Sequence, residues 1–401
     1  MLGRESLPSS KHIKHITMAK PLSFPLAGAA TLALTLALHT PASAYNTDDW
    51  FTGKVPAAQP KAAYDGAPVK LRFSSPNPAA SLVPKLWGRG FEWLGKATHG
   101  KLVIEEFHGG TLHAAADGWR AVRSGVTEYA TCYTSYEASG FPLHKAIEVP
   151  FVTPENPVVA TRVIQELAPK YFAKEWQARG VLYGYTAVAG VSDVMSKKPI
   201  RKPEDLKGLR VIAQGFSPEA AAALGMVTLN IPFPEIYTAL QQGVADAVIW
   251  VDPGFVPFKI YELAKYHTSL GLTAQHIDTC INRKAYQDLP AALKPTFAHF
   301  QQLMGHAVSQ GIGVDFRAQA KDIYRQNGVT LITLSPEEKA AWVNALKPVQ
   351  DKWVAEQKAA GVPADQLLAD IRRLEAKYRN ATPDELFKLT VEQPVSGLLP
   401  Q

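Results

Sequence analysis

The chain has 401 residues, of which 46% are hydrophobic and 19% charged, and its formal net charge is +6. This length and composition leave room for about two folded domains and exclude a largely disordered chain. Because the basic residues form no block of like charge, the sequence also shows no electrostatic footprint for nucleic acid.

The first 44 residues have the pattern of an export signal. An apolar run at 26–38 follows Lys20 and precedes the small residues 41–44. A basic start, a short apolar run and an Ala-x-Ala ending are typical of secretory signals. We therefore expect cleavage after Ala44 and export to an oxidising compartment, with Met18 as an alternative start. An uncleaved anchor is the other interpretation, although no stop-transfer pattern follows.

A first α/β unit begins after a segment, 45–65, whose Pro, Ala and Lys content without a hydrophobic period predicts a loose leader. Strands are predicted at 70–74, 101–107 and 126–132, with helices at 81–97 and 114–123. An irregular aromatic segment follows at 133–152. A helix is then expected at 156–174, which Pro169 is expected to break, before a strand at 181–187.

The stretch 203–255 predicts a second α/β unit. Short apolar strands at 209–213, 227–231 and 245–251 alternate with helices at 217–224 and 235–242, which end at Gly225 and Gly243. This alternation is typical of a parallel sheet, which binds ligands beyond the carboxyl ends of its strands. Two such units predict two α/β lobes that face each other across a cleft.

The remaining chain is predicted to be mainly helical. A strand at 276–282 is expected to cross back between the lobes, and an amphipathic helical region follows at 291–326. Ser335 is a good N-cap for a helix at 337–357, and another helix is predicted at 364–378. The residues after 380 show no strong pattern and are predicted to be loosely held.

The two cysteines, Cys132 and Cys280, lie in apolar strand-like runs. An oxidising compartment permits a disulfide, but sequence alone does not bring their Cα atoms together. Buried free thiols are common, and we expect these two to be unpaired.

Catalytic motifs are missing from the sequence. It contains no Gly-x-Ser-x-Gly elbow, no phosphate-binding Walker loop, no His-Glu-x-x-His and no Cys-x-x-Cys. His108 and His113 flank a Gly-Gly turn, but no third ligand stands nearby, which favours ordinary loop residues over a metal site. We predict no catalytic residue, no metal and no cofactor.

Aromatic and polar residues near the predicted strand ends are instead typical of a closed small-molecule site. Trp250 and Asp252 follow an apolar strand directly, at the end where ligands bind. The candidate binding residues from the pattern are Ser75, Tyr133, Tyr136, Gln214, Phe233, Glu235, Trp250 and Asp252.

Several motifs of the chain resemble one known family. They are Lys-Pro-Ile at 198–200, Pro-Glu-Asp-Leu-Lys-Gly-Leu at 203–209, Ile-Pro-Phe-Pro-Glu-Ile-Tyr-Thr-Ala-Leu-Gln-Gln-Gly at 231–243, and Asp246. Together they are similar to the solute-binding proteins of tripartite ATP-independent periplasmic (TRAP) transporters, the DctP-like family. The segment 246–253 resembles the branch that binds 2-oxo acids.

The resemblance implies a periplasmic, two-lobed α/β binding protein that delivers one organic solute to the small and large permease subunits in the membrane. It implies a first lobe of 66–189 with 278–317, a second lobe of 190–277 with 318–380, and a tail at 381–401. The chain would act as a monomer or a homodimer. Two other interpretations remain open, namely a sensor-partner binding protein and an exported hydrolase on an α/β scaffold.

Two positions depart from the family pattern. Ile212 stands where the family has the arginine that pairs with a solute carboxylate, and Ile249 stands where the oxo-acid branch has a metal-binding glutamate. The resemblance implies that both are cleft positions, and it makes Ile212 a further candidate binding residue. Arg210 lies two residues before Ile212, at the family's exposed lysine position, and is not expected to take over the pairing. We therefore expect a neutral or largely apolar solute; the alternative is an organic acid held by a rearranged anchor.

Overall fold

A computed structural model describes residues 46–55, 64–137, 139–213 and 216–400. The predicted signal region lies outside these residues. Within them, no helix combines the length and the apolar character that crossing a membrane requires.

The described chain alternates strands and helices. The strands are β1 (Val69–Ser74), β2 (Leu102–Phe107), β3 (Tyr129–Thr131), β4 (Val181–Val191), β5 (Asp193–Ser196), β6 (Arg210–Ala213), β7 (Val227–Leu229), β8 (Ala247–Trp250), β9 (Tyr266–Ser269), β10 (Ala274–Asn282) and β11 (Thr330–Thr333). The helices up to β9 are α1 (Thr47–Phe51), α2 (Leu82–Ala97), α3 (Gly118–Ser124), α4 (Pro157–Leu167), α5 (Phe172–Ala178), α6 (Pro218–Ala223), α7 (Ile236–Gln241) and α8 (Asp252–Phe255). The later helices are α9 (Arg283–Asp288), α10 (Lys294–Val308), α11 (Arg317–Gln326), α12 (Pro336–Ala359), α13 (Ala364–Tyr378) and α14 (Pro383–Glu392).

Short helical turns complete the described elements. Turns of the 3₁₀ type are Ala115–Asp117, Thr134–Tyr136, His144–Glu148, Pro203–Leu206, Phe233–Glu235 and Ile260–Glu262. A π-helical segment, Ser309–Phe316, joins α10 to α11 without a break.

The strands form two sheets. The first has the order β2-β1-β3-β10-β4, in which β1 runs parallel to β2 and β3, and β10 runs antiparallel to β3 and β4. The second has the order β11-β9-β5-β8-β6-β7, in which β6 runs parallel to β7 and β8. The predicted two-lobed α/β architecture is confirmed, with one sheet in each lobe.

Each sheet is covered by apolar helix faces on both sides. In the first lobe, Phe73 and Tyr129 pack with α2 and α10, whereas the opposite face packs with α4 and α5. In the second lobe, alternate residues of β6 point to opposite faces, so that Val211 packs towards α6 and α12 and Ile212 towards α7 and α11.

The chain passes between the lobes at β4 to β5, at β9 to β10, through the π-helical segment, and from α12 to α13. The backbone N–H of Ser192 donates to the carbonyl of Thr273 over 2.8 Å, and that of Leu272 donates to the carbonyl of Ser192 over 2.9 Å. The two strand crossings therefore lie side by side and are hydrogen-bonded to each other.

Several sequence predictions of local structure are confirmed. Ser335 begins α12 with a reciprocal capping box to Glu338. The predicted helix at 156–174 is broken near Pro169 into α4 and α5. Gly225 and Gly243, with φ of 64° and 72°, follow α6 and α7 in the left-handed conformation that glycine adopts without steric strain.

The two terminal segments differ from the prediction. Trp50, in the predicted leader, is 1% exposed and packs in the first-lobe core, and Leu386 and Phe387 of α14 are buried in the predicted loose tail. The helix α13 was assigned to the second lobe by resemblance, but Leu367 and Ile371 pack with α4 of the first lobe. Apolar side chains in these segments find partners that are distant in sequence, which local patterns do not reveal.

The prediction of unpaired cysteines is wrong. Cys132 and Cys280 form a disulfide, with their Cα atoms 5.8 Å apart. Antiparallel pairing places Cys280 opposite Ala130 on β3, so Cys132 lies two residues further along the neighbouring strand. The pairing of strands separated by 148 residues brings the sulfur atoms together.

Candidate functional site

The crevice between the lobes lies beyond the carboxyl ends of parallel strands. In the first lobe β1 ends at Ser74 and β3 at Thr131, and in the second lobe β6 ends at Ala213 and β8 at Trp250. Sheets of this type place ligand-binding loops at these ends. The loops that follow these strands carry most of the predicted binding residues.

The first-lobe side contains a hydrogen-bonded group around Tyr133. Its hydroxyl donates to Oδ1 of Asn77 over 2.8 Å, and the backbone N–H of Asn77 donates to Oγ of Ser75 over 3.1 Å. Burial raises the pKa of Tyr133, so its hydroxyl stays protonated as a donor. Ser75 and Tyr133, both predicted from the sequence, are thus brought together.

Tyr136 lies beside this group but faces solvent. Its ring centroid is 6.1 Å from that of Tyr133, in an edge-to-face arrangement, and 59% of the residue is exposed. An exposed aromatic ring next to a fixed one is free to stack on a small molecule.

The turn that carries Tyr136 is held by a buried carboxylate. Oδ2 of Asp278, on β10, accepts hydrogen bonds from the backbone N–H and the hydroxyl of Thr134 over 3.1 and 2.8 Å. Its Oδ1 lies 2.9 Å from His144 Nε2, 3.1 Å from His276 Nδ1 and 2.8 Å from the hydroxyl of Thr186. The sequence analysis missed this fully buried network. The available signal was that His276 and Asp278 lie two residues apart, on the same face of a predicted strand.

His276 joins this network to a second carboxylate. Burial lowers the pKa of His276, but Asp278 and then Glu148, whose Oε1 is 3.3 Å from Nε2, outweigh burial and raise it to about 10. His276 is therefore a buried imidazolium between two carboxylates. Burial raises the pKa of Asp278, but His276 and His144 together hold it well below its usual range.

The structure groups possible metal ligands in two places within the described residues. His144, His276 and Asp278 offer ligand atoms within 4.8 Å of one another, but both Asp278 oxygens already accept several hydrogen bonds. The other group is Asp193, Asp252 and His267, whose carboxylates are paired with the guanidinium of Arg317. In both groups the carboxylates are satisfied by protein donors, so the donor sets favour hydrogen-bonded networks over cation sites.

A cavity of about 190 Å³ opens between the lobes next to this network. It is lined from the first lobe by Lys145, Glu148, Val149 and Pro150, and from the second by Ser217, Glu219, Val349, Lys352, Trp353 and Glu356. Lys145 pairs with Glu148 over 3.2 Å and Lys352 with Glu219 over 3.5 Å. Each lysine thus pairs with a glutamate of its own lobe. Val149, Pro150, Val349 and Trp353 supply the apolar part of the lining.

The two second-lobe positions that depart from the family pattern were expected to line the cleft, with Ile212 as a contact of the solute, but the structure places both in the core. Ile212 is fully buried in a cluster with Ile236 and Val248, and Ile249 is fully buried on the opposite face of the sheet. Arg210 is exposed and forms a bidentate pair with Asp246, at 2.8 and 3.0 Å. The structure therefore gives Arg210 a surface role, as the sequence predicted.

Asp252 was expected to face a solute, but the structure buries it. It is 3% exposed; Oδ1 accepts from His267 Nε2 over 3.1 Å and from the Tyr324 hydroxyl over 2.9 Å, and Oδ2 lies 3.2 Å from Arg317 Nε. Burial raises its pKa, but the interactions with His267, Arg317 and Tyr324 lower it overall. Both oxygens of this carboxylate already contact side chains inside the second lobe, so Asp252 is not available to bind a solute.

The other second-lobe candidates are only partly described. Trp250 is half-buried, and its ring lies 5.8 Å from that of Phe258; a Cβ added to Gly254 would meet the indole at 2.2 Å. Glu235 is exposed and ends the turn that begins at Phe233. Gln214 and the side chain of Phe233 lie outside the described part of the structure.

Comparison with known proteins agrees with the two-lobed architecture. The chain is 25% identical over 299 residues to the C4-dicarboxylate-binding periplasmic protein DctP of Rhodobacter capsulatus, covering 71% of this chain and 86% of that protein. A TRAP periplasmic solute-binding protein from Desulfovibrio salexigens superimposes with a TM-score of 0.73 at 22% identity, covering 79% of this chain and 98% of that one. One from Bordetella bronchiseptica with bound mandelate gives 0.66 at 24% identity, covering 77% and 99%.

Residues 91–357 match the family model of the bacterial extracellular solute-binding proteins, family 7, also named DctP. This match spans well over half of the chain and includes the motifs that suggested the resemblance. Members of the family bind solutes for transport and are not enzymes. The chain therefore belongs to the DctP family of bacterial extracellular solute-binding proteins.

Proposed function

We propose that this protein is the periplasmic receptor of a TRAP-type transporter for a small organic solute that is neutral or largely apolar. The solute binds in the crevice between the lobes, and the loaded receptor delivers it to the small and large permease subunits. The family membership supports the receptor role, and the chemistry of the crevice supports the choice of solute.

The observation that carries the choice of solute is the environment of position 212. Ile212 is 0% exposed among Ile236, Val248 and Phe255, at the position where the family's carboxylate-pairing arginine is expected. Position 212 therefore offers the crevice no cation, and a solute carboxylate that is desolvated without a bidentate partner loses several kcal/mol of binding free energy. An uncharged solute avoids this cost.

The proposed binding surface is mainly aromatic. Tyr133 and Tyr136 form the first-lobe wall, with Ser75 as a polar neighbour, and Trp250 with Phe233 forms the second-lobe wall. The proposed second-lobe polar contacts are Gln214, which follows β6 in the sequence, and Glu235, which is exposed after β7. Aromatic walls with few fixed polar groups match the usual composition of small-molecule sites.

A second candidate is an organic acid held by a different cation. The interlobe cavity contains Lys145, whose side chain is 26% exposed and pairs with Glu148. The relative from Rhodobacter capsulatus is named for C4-dicarboxylates, and the structure from Bordetella bronchiseptica holds mandelate. A carboxylate that displaces Glu148 from Lys145 would give a rearranged anchor.

Thermal-shift measurements with matched pairs of compounds test the choice between these solutes. Each pair differs only in a carboxylate against a carboxamide, for example benzoate and benzamide, or mandelate and mandelamide. A ligand at 100 times its Kd stabilises the folded state by about 2.7 kcal/mol. We expect stabilisation by the uncharged members, and stabilisation by C4-dicarboxylates or pyruvate would overturn the proposal.

Two variants make the screen specific. Tyr136→Ala should reduce the stabilisation by the ligand to about half, as a tenfold loss of affinity does at this ligand concentration. Val244→Ala should leave it unchanged, because Val244 is exposed and lies before the start of β8, whereas Trp250 is at its end. If carboxylates stabilise the parent protein and Lys145→Ala removes that effect, the second candidate replaces the first.

A further inference from the structure

A single buried carboxylate contacts three of the segments that join the two lobes. Asp193 is the first residue of β5, directly after the crossing from β4, and is 0% exposed. Its Oδ1 accepts the backbone N–H of Leu270 over 2.8 Å and that of Gly271 over 3.0 Å, at the crossing from β9 to β10. Its Oδ2 accepts Nη2 of Arg317 over 2.6 Å.

Arg317 stands at the third connection. It begins α11 directly after the π-helical segment, and its side chain is 15% exposed. Its guanidinium also lies 3.2 Å from Asp252, which in turn binds His267 and Tyr324. The carboxyl-terminal side of the π-helical segment is therefore fixed to the second lobe.

The amino-terminal side of the same segment is fixed to the first lobe. The hydroxyl of Ser309 donates to the carbonyl of Val188 on β4 over 2.8 Å. A Cβ on Gly313 would lie 2.6 Å from Pro157 of α4, so this part of the helix packs against the first lobe with no room for a side chain. A π-helical segment is a local irregularity in an α-helix. Along this connection, the residues between Gly313 and Arg317 therefore lie between an end held by the first lobe and an end held by the second.

We propose that Asp193 and Arg317 are positioning residues. They tie the two strand crossings to the helix, so that these three connections move as one unit and restrict the angle between the lobes. This inference rests on the proposed receptor function, because a restricted angle matters for a protein that holds its solute between two lobes. A receptor that samples fewer open arrangements has a larger binding-competent fraction, which lowers its apparent Kd.

Two variants separate positioning from simple stabilisation. Asp193→Asn keeps the size of the side chain and an acceptor for Leu270 and Gly271 but removes the charge that holds Arg317. Arg317→Lys keeps a positive charge but not the fork that reaches both carboxylates. The matched control is Arg325→Gln, which removes a surface pair with Asp322 on the same helix, α11.

The interlobe distance distribution is the measurement. Spin labels are attached at Glu92→Cys on α2 and Asn344→Cys on α12, both exposed, and double electron–electron resonance is recorded without solute. The native cysteines are joined in a disulfide and do not take up label. We expect the distribution of Asp193→Asn and Arg317→Lys to be about twofold broader than that of the parent and of Arg325→Gln.

The proposal fails if both variants keep the parent's distribution while only their unfolding midpoint falls, because that result describes local stabilisation alone. If one variant does not fold, the other decides the question. The same labelled parent protein, with the solute from the thermal-shift screen, tests the receptor function separately. A solute that leaves the parent distribution unchanged counts against lobe closure without altering the comparison of variants in its absence.

Discussion

Ile212 is surrounded by aliphatic and aromatic side chains on the α7 and α11 face of the second-lobe sheet. Introducing Ile212→Arg places a charge without a partner in this cluster, so we expect it to lower the free energy of unfolding by about 3 kcal/mol or more. Ile212→Val, the matched control, should cost about 1 kcal/mol. Urea unfolding followed by circular dichroism measures both. An arginine variant as stable as the parent would show that position 212 opens to the crevice.

Tyr136 is the most exposed of the proposed binding residues in the first lobe. Because little of its ring is packed, Tyr136→Ala should change stability by less than about 0.5 kcal/mol. Loss of an aromatic contact with the solute should weaken binding about tenfold. Isothermal titration with the best ligand from the carboxamide series measures the change. Equal affinity of the parent and Tyr136→Ala would remove this residue from the site.

His276 should make stability depend on pH on the alkaline side. The charged or titratable groups around it are Asp278, Glu148 and His144. Its pKa is about 10 in the folded protein and about 6.5 in the unfolded chain. A raised pKa gives stability that is fully present below about 6.5 and is lost as pH rises through about 10. The difference in unfolding free energy between the parent and His276→Gln should therefore shrink from pH 6 to pH 10. If the unfolding free energies of the two proteins change in parallel over this range, His276 is not a buried imidazolium.

At the scale of elements, the disulfide between β3 and β10 closes a long loop of chain. Replacing both cysteines, as Cys132→Ser with Cys280→Ser, should lower the free energy of unfolding by about 2 to 4 kcal/mol. Urea unfolding of the oxidised parent, the reduced parent and the double variant measures this cost. The reduced parent should resemble the variant, and three coinciding curves would show that the crosslink does not contribute.

The elements also show which features the sequence could predict. The helix α12 follows from Ser335, Glu338 and the following helix formers, and the strand pattern of 203–255 is visible locally. In contrast, the disulfide depends on which strands pair, and the burial of Trp50 and Phe387 depends on partners far away in the chain. Such long-range contacts leave no periodic trace in one sequence.

At the scale of the whole molecule, the two lobes are joined by side-by-side strands and an interrupted helix, and the crevice lies beside these joints. The grouping of the first-lobe candidates was predictable, because Ser75, Tyr133 and Tyr136 follow closely after strands that local patterns reveal. Asp252 was misplaced, since its burial depends on Arg317 and Tyr324 from a helix more than sixty residues further along the chain. The buried network of His144, His276 and Asp278 was missed for the same reason.

The central claim is that the crevice holds an uncharged or largely apolar organic solute. Mass spectrometry of small molecules released by denaturing the purified protein tests this most directly, with Tyr136→Ala as the control that should release little. We predict one neutral or mainly apolar compound in near-stoichiometric amount. Release of a dicarboxylate or a 2-oxo acid, retained by the parent and lost from Lys145→Ala, would contradict the account.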